Sequence, residues 1–191
     1  MSQNIELSDA QWMLLHELRL RGFVAVSDKH KPLVEYELVV HKASMVALTA
    51  HGRSAHETWA RYEPDSVPAI AANRLHDGFD ELNRELLTVC SAWQVVPGGA
   101  PNDHNDATYD WQVIDRLERL HERTGPRLRR LARDAPRFDT YDARLWKCVR
   151  KVIDDGETDW FTSPRVDSYH TIWNQLHEDL LLALGIDRNH G

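Results

Sequence analysis

Long hydrophobic runs are missing from this chain. No stretch approaches the roughly 18 uncharged apolar residues of a membrane-spanning helix, and a mean hydropathy of −0.54 predicts a soluble protein. Residues Met1 to Glu6 have no basic flank and no apolar core, which predicts no signal peptide. Cysteine is scarce. Cys90 and Cys148 each sit inside an apolar helical pattern, which predicts two buried thiols in a reducing cytoplasm rather than a disulfide framework. Positive charge is in deficit, with 23 Lys and Arg against 30 Asp and Glu and a net charge of −7. That balance argues against nucleic acid as a partner, because a binder of the phosphate backbone needs a basic face. Arg127, Arg129, Arg130 and Arg133 form a local basic run, but on a helix they spread around the circumference and read as a solvated face.

Several signatures of chemistry are missing too. There is no GxGxxG, no Walker loop, no GxSxG elbow, no HExxH and no CxxC. Neither cysteine lies beside a histidine in a polar loop, which argues against a thiol nucleophile. What is present in excess is seven Trp and eleven His in 191 residues, and some of these cluster.

The apolar periodicity predicts a mainly α protein: a helical bundle over residues 64–191, preceded by a small α+β unit, degenerate and winged-helix-like, over 1–63. Ser8 or Asp9 caps a first helix that Gly22 ends. Leu33 to Val40 reads as a strand, with Ser44 to Thr49 as its antiparallel partner, and His51 to Arg61 as a helix. After Pro64 and Pro68 the pattern predicts one long helix from Ala69 to Trp93, broken by Pro97-Gly98-Gly99-Ala100-Pro101. Further helices are predicted over Ala107–Arg123, from Gly125-Pro126 to Pro136, from Asp139 to Gly156, and from Ser163 to Leu184 with Pro164 in the first turn.

Two segments are more polar and aromatic than folding needs. The first, Asn102-Asp103-His104-Asn105-Asp106 and on to Tyr109-Asp110, follows the Gly-rich turn and opens a helix. Free backbone N–H groups there can hold an anion, or Asp103, Asn105 or Asp106 can cap them. His104 is then either exposed and inert or a cleft base oriented by Asp103 or Asp106. In the second segment, Asp167 and His170 are three apart and share a helix face, which Trp173 and His177 continue. This stripe is either the wall of an aromatic pocket or core, with the histidines bonded to carbonyls. His170 and His177 stand about 10.5 Å apart along a helix, too far for the one-turn pair of a helical zinc site, so no metal is expected.

Gly98 to Asp110, Trp160-Phe161 through Arg165, Asp167-Ser168-Tyr169-His170-Thr171 and His177-Glu178-Asp179-Leu180-Leu181 resemble blocks of actinobacterial phosphoenolpyruvate-utilising, pyruvate phosphate dikinase-like proteins. In that family the blocks form a C-terminal helical region after a winged-helix-like stretch ending in Leu-Thr-x-x-Gly-Arg, which Leu48-Thr49-Ala50-His51-Gly52-Arg53 matches. The likeness runs from about residue 9 onward. Between Gly22 and Leu48 the chain is too short for the usual second and third helices of a winged helix. Thr49-Ala50-His51 lacks the Gly-Gly pair and apolar run of a phosphohistidine loop.

The resemblance implies a free-standing acceptor-binding subunit or partner of an ATP-dependent, dikinase-like phosphotransferase, acting on a small, even aromatic, alcohol. ATP and Mg would sit on partners, an ATP-grasp protein and a phosphohistidine-domain protein, and this chain would hold no cofactor. By position, His104 or His170 would take the hydroxyl proton, as an imidazole titrating near about 6.5 is suited to do. Asp103, Asp106 or Asp167 would orient the base and Arg165 would face the phosphoryl group. Asn102, Tyr109, Trp160, Tyr169, Trp173 and His177 would line the acceptor. The alternative is a MarR-like winged-helix transcriptional regulator with a helical sensor or dimerisation domain.

Overall fold

The structure, a computed structural model, describes residues 6–187. Among these residues the protein is mainly α-helical, with nine α-helices and one three-stranded sheet. None of those helices is long and apolar enough to cross a membrane. The chain forms two compact units. One takes the residues up to Glu63 together with those from Leu181 on, and the other is Pro64–Leu180.

The first unit opens with α1 (Asp9–Arg21), where Ser8 and Gln11 form a reciprocal capping box and Gly22, at φ 78°, ends the helix. β1 (Val24–Ala25) follows, then a 3₁₀ turn over Asp28–His30 that runs into α2 (Lys31–Glu35). β2 (Val39–Lys42) and β3 (Met45–Leu48) make a hairpin, and α3 (Ala50–Ala60) closes the unit. The antiparallel sheet has the order β1-β3-β2, with Val24 opposite Val46 and Val39 opposite Leu48. Leu15, Leu18, Leu33, Leu38, Val39 and Val46 form its core.

The strand expected over Leu33 to Val40 is displaced. Pro32 presets the first turn of a short helix, so residues 31–35 coil and pairing starts at Val39. The Leu-Thr-x-x-Gly-Arg segment has a physical reading. The Thr49 side chain caps α3 by accepting from the Gly52 amide, and its hydroxyl donates to the Glu37 carbonyl at 2.7 Å. Gly52 presses on β2's approach: a Cβ there would stand 1.9 Å from the Leu38 carbonyl oxygen.

The second unit comprises α4 (Val67–His76), α5 (Phe79–Gln94), α6 (Ala107–Asp134), α7 (Thr140–Asp155), α8 (Asp159–Thr162) and most of α9 (Tyr169–Leu184). Both α4 and α5 pack on α6, which packs on α7. Phe79, Leu86, Leu117, Leu120, Tyr169 and Trp173 are among its fully buried side chains.

Three helix boundaries differ from the sequence reading. The long helix over 69–93 is two, because the chain turns at Asp77-Gly78. The break expected at Gly125-Pro126 is absent, and α6 runs through it. Pro126 removes one amide donor, but packing on both sides of it holds the helix. Gly125 has no side chain to obstruct the Asp142 carboxylate, whose Oδ1 would lie 2.7 Å from a Cβ. The last helix starts at Tyr169 rather than Ser163, since the Ser168 hydroxyl accepts from the Thr171 amide and sets the boundary. Asp167 therefore precedes the helix and does not share its face with His170. Both cysteines are buried and free, and burial pushes each thiol up to about 12.

Candidate functional site

The connection between α5 and α6 is built to return on itself. Gly98 and Gly99 adopt φ 105° and 89°, conformations open to glycine. The turn they make pairs Val95 with Pro101 and brings the Asn102 amide onto the Gln94 carbonyl at 2.8 Å. Tyr109 fastens the far side, its hydroxyl donating to the Ala92 carbonyl at 2.9 Å. Asp106 caps α6, accepting from the Thr108 and Tyr109 amides. Of the two readings of this helix start, an anion site or a cap by the chain's own side chain, the structure has the cap, made by Asp106. Asp103 stands apart, bonded to the Asn105 amide and side chain, which hold its carboxyl below the usual range.

His104 occupies the crest of this loop with φ 59°, a left-handed conformation that a residue with a Cβ rarely adopts. Its ring lies 4.4 Å from the Trp93 ring, and Trp93 in turn stacks on Phe161 of α8 at 4.6 Å. Its orienting carboxylate is Asp110, with Nδ1 to Oδ2 at 3.0 Å, and not Asp103 or Asp106. Asn102 fixes the arrangement. Its amide donates to the Trp93 carbonyl and to Asp110 Oδ1, and its oxygen accepts from the His104 backbone. The Asn102 amide nitrogen also lies 3.2 Å from His104 Nδ1, but with its two protons directed at Trp93 and Asp110 the arrangement favours an Nδ1–H that donates to Asp110. Nε2 is left as an acceptor on a side chain 40% exposed. Asp110 sits in the first turn of α6, where the helix dipole favours a carboxylate.

The stripe on α9 is placed elsewhere. Trp173 is fully buried, stacked on Phe79 at 5.0 Å with its indole N–H donating to Asn83. His177 packs on the same Phe79 ring at 4.8 Å. Tyr169 is fully buried, 3.5 Å from His121 Nδ1. Half-buried His170 has its pKa lowered by burial and its Nε2 meets the Asn174 amide at 3.4 Å. Asp167 faces Arg144 of α7 at 3.7 Å. Trp160 donates to Glu157 and lies under the Lys147 ammonium at 5.0 Å, and Arg165 is exposed. His104 thus touches Trp93 of α5 and Asp110 of α6, with Phe161 of α8 behind Trp93, while Trp173 and His177 pack on Phe79 of α5 and Tyr169 meets His121 of α6.

Three groups escaped the sequence reading. Asp110 closes the His104 loop, and its signal was its place one turn after the Asp106 cap. His121 is buried between Trp146, stacked at 5.2 Å, and Tyr169, with Asp142 3.6 Å from its Nε2. His16 and His56 meet at 3.0 Å beside Trp59 in the first unit. No group of three or more His, Cys, Asp or Glu that could hold a metal ion occurs among the described residues. No protein-family model matches this chain, and neither does any curated protein or solved structure.

Proposed function

We propose that this chain is the acceptor-side partner of an ATP-dependent, dikinase-like phosphotransferase and that His104 activates the hydroxyl group of a small alcohol. The observation that carries this reading is the His104–Asp110 pair. A carboxylate at Nδ1 favours the Nδ1–H tautomer, which leaves Nε2, on a side chain 40% exposed, to accept a proton. Trp93, buried between His104 and Phe161, backs the imidazole ring. His104 fits the role better than His170, whose Nε2 is already met by Asn174. ATP and Mg belong on the partner proteins, and Arg165 is the exposed cation closest in sequence to the aromatic α8 segment.

The test mixes the chain with an ATP-grasp protein and a phosphohistidine-domain protein of the dikinase type and follows a new phosphomonoester by ³¹P NMR, with small hydroxylated aromatics as acceptors. His104→Ala is expected to lower turnover about 10²–10⁴-fold while melting is retained. Equal turnover without the chain would sink the proposal.

A second reading, the MarR-like regulator, is favoured by one feature, the β1-β3-β2 sheet with its β2–β3 hairpin. Against it stand a five-residue α2 in place of a recognition helix and the net charge of −7. A salt-sensitive, sequence-dependent mobility shift on DNA would establish it.

A further inference from the structure

The groove between α4 and α6 combines an apolar floor with three guanidinium groups. Ala71 and Leu75 of α4 and Leu131 of α6 form the floor, and Arg74, Arg127 and Arg130 rise around it. Arg127 and Arg130 are three apart on α6 and so share a face. The enclosed volume is about 200 Å³ and opens to solvent.

The charges in this groove are unmatched. Several other arginines of this unit have partners: Arg119 meets Asp115, Arg123 meets Glu85, Arg129 meets Asp142 and Arg144 meets Gln175. Arg74, Arg127 and Arg130 make no ion pair or side-chain hydrogen bond with any described residue, although the chain carries 30 acidic residues. Arg127 also lies over Gly78, where a Cβ would stand 3.2 Å from its Nη1, so a larger residue there would crowd the guanidinium. Three like charges gathered without a counter-charge repel one another, and an anion between them removes that repulsion. Arginine's planar fork matches the oxygens of a phosphate group. The apolar floor suits a compact hydrocarbon body, and the volume is below that of a site for a drug-sized ligand.

We infer that this groove binds a small organic phosphate monoester, its phosphate held by Arg74, Arg127 and Arg130 and its body on Ala71, Leu75 and Leu131. The inference does not depend on the phosphotransferase reading or on His104.

Isothermal titration calorimetry on the whole chain tests it, with phenyl phosphate, inorganic phosphate and phenol as probes. Phenyl phosphate is expected to bind more tightly than inorganic phosphate, and phenol not measurably. All three arginines are exposed, so an Arg127→Gln/Arg130→Gln variant should keep the wild-type circular dichroism and melting point. Its affinity for phenyl phosphate should fall tenfold or more, since two of the three guanidinium groups that hold the phosphate are lost. Arg133→Gln, on the same helix outside the groove, should leave binding unchanged. The inference fails if wild type does not bind phenyl phosphate, if the double variant binds it equally well, or if Arg133→Gln weakens it as much. Equal affinity for inorganic phosphate would assign the groove to the free ion and overturn the ester.

Discussion

His104 Nδ1 and Asp110 Oδ2 stand 3.0 Å apart, and the histidine reaches that position from a left-handed backbone. The strain costs about 1–2 kcal/mol for a residue with a Cβ, so the loop holds the ring against its own conformational preference. ¹⁵N NMR of the neutral side chain is expected to show the proton on Nδ1. In Asp110→Asn the tautomer population should shift and phosphoryl transfer should fall about 10²–10⁴-fold, because a base in the wrong tautomer cannot take the proton. An unchanged tautomer in Asp110→Asn would show that Asp110 does not orient the ring.

His104→Asn separates function from folding. Asparagine tolerates the left-handed region, so relief of strain offsets the lost ion contact and stability should stay within about 1 kcal/mol of wild type. Urea unfolding followed by tryptophan fluorescence measures it. A loss of several kcal/mol would mean that His104 holds the loop together.

Gly52→Ala tests the contact of α3 with the chain before β2. In an ordinary helix this change gains about 1 kcal/mol. Here the new methyl would meet the Leu38 carbonyl, a backbone atom that cannot rotate away. The first unit should instead lose about 2–3 kcal/mol. Stabilisation would show that α3 can lift off Leu38 without cost.

The helical character of the protein was legible because its apolar stripes are long: those of α5 and α7 repeat at helical spacing over four turns. Boundaries were less legible where a local signal was outweighed. Gly125-Pro126 reads as a break, but the packing of α6 on α5 and α7 overrides the missing amide. The apolar stripe over 69–93 reads as one helix, yet the chain turns at Asp77-Gly78. Pro164 reads as a first-turn proline, but the Ser168 hydroxyl places the start of α9 five residues later. In the site, His104 and Asn102 could be picked out by residue type. The partnership with Asp110 could not, because it depends on how the Gly98-Gly99 turn aims the loop. The arginine groove was hidden for a similar reason: Arg74 and Arg127 lie far apart in sequence, and only the packing of α4 on α6 brings them together.

Asp179 carries the largest expected stability effect. It is fully buried, 3.0 Å from Arg137 and accepting from the Tyr141 hydroxyl. Asp179→Ala leaves a guanidinium 8% exposed without its carboxylate, and losing one member of a buried pair costs about 3–5 kcal/mol. Asp179→Asn keeps an acceptor and should recover part of that loss. A cost below that of an ordinary surface substitution in both variants would show that water replaces the carboxylate.

The pH dependence of stability tests the burial of His121. Burial lowers its pKa; the nearby Asp142 carboxylate opposes this in part, and Arg129 adds to the lowering. Glu122 also opposes the lowering, and Trp146 and Tyr169 pack against the ring. A histidine whose folded pKa lies below its unfolded value, about 6.5, binds more protons when unfolded in the interval between the two. Stability is therefore complete above that interval. It falls as pH drops through the unfolded pKa and levels off below the folded one. His170, also lowered by burial, acts in the same direction. Asp103 and Glu157 do not confuse the window, because their carboxyls titrate in more acidic solution. The melting temperature should thus decline between about pH 7.5 and 5.5. The decline should be shallower in His121→Gln and shallower still in His121→Gln/His170→Gln. A wild-type melting temperature that is flat or rises over this range would show that His121 charges inside the fold, with Asp142 as its counter-ion.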